Sequence, residues 1–202
     1  MLAGWATAIV GYWLPWLAPG PAALEFNGFE LAEWTTRLPD VQNLGPCSCR
    51  LNFLGILAGL ALLGGLLSGI EPEKSAALRR SLGAISALHM ALILPGYPFV
   101  LGILRDPEAR AQGTLALAAA IGLGLAYLLA PRIKRHLRYG MAGLLAFAMS
   151  ALAYWSLAAV RPQFARLLPE MGNPGSGFSM FLAGCLIVCL AGLAGAVATW
   201  KD

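Results

Sequence analysis

Charge is scarce in this sequence. Fourteen Lys and Arg and ten Asp and Glu stand among 202 residues, 12% in all, against 58% hydrophobic side chains and a mean hydropathy of +0.70. So few charges cannot cover a water-soluble globule of this size, and lipid must be the solvent for most of the chain. Histidine numbers two and cysteine four. The long apolar runs contain no Asp, Glu, Lys or Arg, which removes the usual working groups of a proton relay or a charge-coupled transporter. Also missing are a Ser-His-Asp set, an HExxH helix, a phosphate-cradling glycine loop and paired carboxylates at a membrane face. The hydrolytic and nucleotide chemistries that need them lose their support. An enzyme is not expected unless a bound cofactor supplies the chemistry.

What is present is a series of apolar runs near the ~20 residues that cross a bilayer core. Six are read, at 2–17, 51–70, 81–104, 112–131, 139–160 and 178–200. Lys74, Arg79 and Arg80 lie between the second and third runs. Arg132, Lys134, Arg135 and Arg138 lie between the fourth and fifth, and Lys201 follows the sixth. Basic residues are retained on the cytoplasmic side. The expected fold is therefore an all-α bundle of six transmembrane helices, a single domain over 1–202 with both termini cytoplasmic, in a bacterial cytoplasmic membrane. The net charge of +4 follows from that topology and suits anionic headgroups. No basic patch is interleaved with aromatics, so nucleic acid is not an expected partner.

Small residues recur at helical spacing, as Gly55, Gly59, Ala61, Gly65 and Gly69 in the second run. Ala118, Gly122 and Ala126 repeat the pattern in the fourth, Ala142, Ala146 and Ser150 in the fifth, and Ala191 and Gly195 in the sixth. In lipid such faces let helix backbones approach closely, which predicts a tight bundle. At the outer end of the first run, Tyr12-Trp13-Leu14-Pro15-Trp16 reads as an aromatic interfacial anchor.

The outer loop 20–50 is long enough to have structure of its own. Residues 24–31 are nearly palindromic about Asn27-Gly28, a pair suited to a type I′ turn, and predict a small hairpin. Leu31, Trp34 and Leu38 stand at helical spacing until Pro39, which predicts a short helix after it. The last outer loop, 161–179, is rich in Pro and Gly and reads as irregular, with a short helix over 163–168.

Three features carry candidate chemistry. His89 lies well inside the third run, and an intramembrane ionisable side chain is a functional hypothesis by default. It could ligate a haem or a chlorophyll-type pigment, or hydrogen-bond a quinone carbonyl. The other reading is a packing histidine bonded to Ser86, Ser150 or a backbone carbonyl. The second feature is the break Pro95-Gly96-Tyr97-Pro98, which frees carbonyls near Ala91 and Leu94 and could form a substrate site. The third is Cys47-Ser48-Cys49, an outer pair placed for thiol redox exchange, although C-x-C closes a smaller ring than the usual C-x-x-C. Cys185 and Cys189 read as packing residues, and no metal site is expected.

Three functions follow as expectations. The first is an accessory or scaffold subunit of a larger membrane complex, an energy-transducing one included, with the bilayer and other membrane subunits or a homo-oligomer as partners. The second is a carrier or channel for a neutral or lipophilic solute, using the broken third helix. The third is an extracytoplasmic thiol–disulfide oxidoreductase using Cys47 and Cys49.

Overall fold

The computed structural model describes residues 1–17, 25–37, 48–70, 75–95, 102–103, 105–167 and 173–200. The described residues form seven helices and no strands: α1 (Leu2–Trp13), α2 (Gly28–Thr35), α3 (Ser48–Ile70), α4 (Ala76–Ile93), α5 (Pro107–Leu129), α6 (Arg135–Leu167) and α7 (Ser176–Ala198). Four of them, α3, α5, α6 and α7, are long and apolar enough to cross a membrane. The chain is thus an all-helical protein with the character of a membrane protein. α1 has 12 residues, and α4 has 18 and carries Arg79 and Arg80 in its first turns.

α3 is the axis of the bundle. Of its apolar window 78% is buried, against 17%, 39% and 28% for α5, α6 and α7. It packs on α1, α2, α4, α5 and α6, while α7 is held by α1 and α6. Backbone approach at glycine sets these contacts. A Cβ on Gly192 of α7 would lie 2.8 Å from the Tyr139 carbonyl oxygen and 2.9 Å from Gly143 Cα of α6. At Gly59 the Met149 thioether fills the missing side chain's place, and at Gly65 Leu123 of α5 does so. Lipid tails are as apolar as leucine, so this close contact supplies packing energy that hiding leucine from lipid would not.

The ends of the bundle differ in chemistry. Arg79, Arg80, Arg132, Lys134, Arg135 and Arg138 gather where α3 meets α4 and α5 meets α6, and no described Asp or Glu joins them. The opposite end carries Glu25, Glu30, Glu33, Asp106 and Glu108 beside Arg37, Arg50, Arg105 and Arg110. Along α6, the exposed Tyr154 and Trp155 stand about 30 Å from Arg135 at helical rise, close to the thickness of a bilayer core.

The predicted hairpin at 24–31 is not formed. Asn27 is instead the N-cap of α2: its side chain accepts from Phe29 N (3.0 Å) and Glu30 N (2.9 Å), and the Glu30 carboxylate accepts from Asn27 N (2.9 Å). This reciprocal pair satisfies orphan donors that a turn would leave to water. Gly28 serves close approach, since a Cβ there would lie 2.7 Å from the Tyr12 ring. Asn27→Ala should cost about 1 kcal/mol, read as faster amide hydrogen exchange over 28–35 with the other helices unchanged.

Other expectations also change. α4 begins at Ala76, before the third run, and ends at Ile93, where Leu94, before Pro95, is extended at φ −61°, ψ 140°, as a pre-proline residue prefers. α6 continues through Pro162 to Leu167, replacing the irregular start expected at 161. Within the aromatic group at the end of α1, expected at the interface, Tyr12 and Trp16 belong to the core, while Trp13 is half-buried. Tyr12 and Trp16 are fully buried, with Tyr12 Oη donating to Phe53 O (3.1 Å) and Trp16 Nε1 to Gly11 O (2.9 Å). Beyond α1 the chain runs extended, and Trp16 and Leu17 pair with Phe26 while Pro15 and Trp16 accept from Gly177 and Gly175.

Candidate functional site

A polar concavity lies at the acidic-and-basic end, where α2, the start of α3, the end of α4 and the start of α5 converge. It is a cleft of about 720 Å³ bordered by Phe29, Arg37, Arg50, Pro95, Glu108 and Gln112, among others. α2 forms its wall because Leu31 and Ala32 are buried against the bundle, leaving Glu33, Trp34 and Arg37 outward. Asp106 caps α5 by accepting from Glu108 N (2.8 Å), with Pro107 next, where a missing N–H costs nothing.

Arg50 joins three helices. Its two terminal nitrogens donate to Glu33 of α2 (2.8 Å) and Glu108 of α5 (2.7 Å). A guanidinium suits this task because its donors are fixed in a planar fork. Arg37 lies over the Trp34 ring at 5.5 Å. Beneath them, Gln112 Nε2 donates to Ile93 O (2.8 Å), and Leu94 N donates to Ala91 O (3.3 Å). Ile93 O is therefore taken up by Gln112, and Ala91 O, one of the acceptors expected near the break, by a tight turn. The sequence signal for Gln112 is its place as an amide at the head of an apolar run.

Of the predicted break residues, Pro95 is buried and borders the cleft. Gly96, Tyr97 and Pro98 lie outside the described residues. Cys49 is buried in the first turn of α3, a position that shields a thiol from exchange partners. Cys47 lies outside the described residues. Cys185 is buried and Cys189 half-buried on α7.

His89 sits one turn before the end of α4, 4% exposed, beside Trp13 at 6.4 Å between ring centroids. Trp13 in turn touches Phe29 at 5.8 Å, and Phe29 borders the cleft, whose lining does not include His89. His89 Nδ1 lies 2.8 Å from Ile85 O of its own helix. A carbonyl only accepts, so Nδ1 carries the proton in the neutral ring and Nε2 presents a lone pair. Among the described residues, neither Nε2 nor the buried Ser86 Oγ of the same helix has a hydrogen-bond partner. A neutral His89 in this tautomer can accept from a hydroxyl or bind a metal ion, but it cannot donate through Nε2 to a quinone carbonyl. Ser150 Oγ donates to Ala146 O (3.0 Å) of its own helix.

The structure thus brings Pro95 to the cleft with Arg50, Glu108 and Gln112, and leaves His89 and Cys49 apart from it. Among the described residues, no three His, Cys, Asp or Glu side chains are grouped to hold a metal ion. Comparison with protein-family models, with curated proteins and with solved structures yields no match.

Proposed function

We propose that this chain is a six-span protein of a bacterial cytoplasmic membrane, with both termini cytoplasmic, that acts as a non-catalytic accessory subunit. Its partner docks on the outer platform formed by α2 and the cleft beneath it. The observation that carries this reading is how the outer polar groups are spent. Arg50 holds Glu33 and Glu108, Gln112 holds the end of α4, and Asn27 and Asp106 cap helices. They build a rigid rim in place of a set of groups converging on a reacting centre. Around that rim, the exposed Trp34 under Arg37 is the aromatic-and-arginine combination that anchors protein interfaces.

α1 and α4 complete the six spans in this reading. α1 runs antiparallel to α3, with Trp5 Nε1 donating to Leu60 O and Tyr12 to Phe53 O. The extended 14–17 segment lengthens its crossing.

A photo-crosslinking side chain in place of Trp34 should capture one discrete polypeptide in native membranes, whereas the same group at Leu193, on the exposed face of α7, should not. A gently purified protein that is a monodisperse monomer, with no adduct from position 34, would reject the accessory role.

A second reading, transport of a neutral or lipophilic solute, is favoured by Pro95 bordering the cleft together with Leu92 and Leu94. Pro95→Ala should then change solute flux into vesicles severalfold, and unchanged flux removes it.

A further inference from the structure

A second concavity lies between α5 and α6, with α3 as its floor. Near the basic end it is a groove of about 580 Å³ in which Leu62 and Leu66 form the base, Leu125 and Leu129 one wall, and Met141 and Leu144 the other. It leads into a shallower hollow of about 340 Å³ that shares Leu62, Leu145 and Ala148 with it. Among the described residues, no charged side chain lines either part. From Met141 to Leu152 the α6 wall extends about 16 Å at helical rise.

At the basic end the groove is bounded by Ile133 in the turn between α5 and α6. Arg132 and Lys134 flank Ile133 and are exposed, and no described carboxylate pairs with them, while Arg135 opens α6 with its guanidinium over the Tyr139 ring (6.0 Å), on the side of α7. Arg138 is committed elsewhere: it donates to Gly69 O and fastens the end of α3. An apolar trough as long as a substantial part of one leaflet therefore ends beside two cations, Arg132 and Lys134.

We propose that this groove binds an anionic phospholipid, with an acyl chain along Leu62, Leu66 and Leu145 and the phosphate at Arg132 and Lys134. Charge complementarity selects this occupant. A transmembrane helix from another chain would fill the apolar trough and leave the cations unanswered, whereas an anionic lipid satisfies both parts. Basic pockets between membrane helices hold anionic headgroups by the same physics, at about 1 kcal/mol for each Lys or Arg near the surface. The site lies at the opposite end from the outer cleft, so it stands or falls independently of the docking role.

The test uses full-length protein in nanodiscs of phosphatidylcholine, titrated with phosphatidylglycerol and read by native mass spectrometry of retained lipid. The combined variant Arg132→Gln, Lys134→Gln should weaken retention roughly thirtyfold, which is about 2 kcal/mol at 1.4 kcal/mol per decade. Arg80→Gln, which removes an exposed charge at the same end but outside the groove, should leave retention within about twofold. Ala148→Trp places a ring in the stretch shared by both hollows and keeps every cation, so it should also weaken retention at least fivefold even if the charge variant inserts poorly. Equal retention of phosphatidylcholine and phosphatidylglycerol, or an Arg80→Gln loss as large as that of the turn variant, would overturn the proposal. So would a stable dimer that Ala148→Trp dissociates, which would assign the groove to a second copy.

Discussion

Replacing Gly184 by leucine should unseat α1 from α7 and lower the thermal midpoint of the detergent-solubilised protein by roughly 10 °C. A Cβ at this position would lie 2.6 Å from Gly4 O and 2.8 Å from Ala8 Cα, with Ala8 N closer still. All three are backbone atoms, so no side-chain rotation relieves the overlap and the helices must part. Gly11 faces the same constraint against the Phe181 and Met180 backbone, which makes the contact between α1 and α7 a glycine-built seam along most of α1. Overpacking a tight site costs about 1–3 kcal/mol in general, and the upper end fits a clash with backbone. α1 would keep its bonds from Trp5 and Tyr12 to α3, so the expected product is a loosened first helix on a folded remainder. Leu186→Ala on the exposed face of α7 is the control and should change the midpoint by less than about 2 °C. An unchanged midpoint for Gly184→Leu would mean that α1 does not lie on α7.

The second large effect is expected at Arg50. Its side chain is only 18% exposed and supplies both halves of the link between α2 and α5. Arg50→Met removes two charge-assisted bonds and deprives Glu33 and Glu108 of the cation they share. Exposed ion pairs are worth at most about 1 kcal/mol, and breaking a buried one costs about 3–5 kcal/mol. This half-shielded pair of contacts should fall between, at about 2 kcal/mol. Glu108→Gln should cost more than Glu33→Gln, because Glu108 is the better shielded partner. Arg50→Lys should recover less than half of the loss, since one ammonium cannot span two carboxylates as the planar fork does. The measurement is amide exchange over 28–35 together with the unfolding midpoint. A protein whose α2 exchanges no faster in Arg50→Met would show that the capping box and Tyr12 hold it without the ion pairs.

Much of the bundle was legible because its signals are compositional. Uncharged runs of membrane length locate α3, α5, α6 and α7 regardless of tertiary detail, and small residues at Gly59, Gly65 and Ala146 do face neighbouring helices or the core. Other features were misread where one local pattern serves two physical ends. Asn27-Gly28 suits a type I′ turn as well as a helix start, and Glu30, three residues after Asn27, is the cue that decides for the cap. Trp5 and Tyr12 are seven residues apart on one helical face and point to burial, but the tight cluster Tyr12–Trp16 suggests an interface when read alone. The cleft was half legible. Pro95 marks the end of α4, but pairing Arg50 with Glu108 or Gln112 with Ile93 joins residues 58 and 19 positions apart, and no local pattern reports such distances.

Six crossings are separated from four most directly by cysteine accessibility in intact cells, in a background with the native cysteines replaced. If α4 crosses the membrane, a cysteine at Arg80 and one at Arg105 lie on opposite sides. A membrane-impermeant maleimide should then label Arg105→Cys and Trp34→Cys in intact cells, and Arg80→Cys and Lys134→Cys only after permeabilisation. Labelling of Arg80→Cys and Arg105→Cys from the same side would contradict the six-span bundle and take with it the outer placement of the cleft.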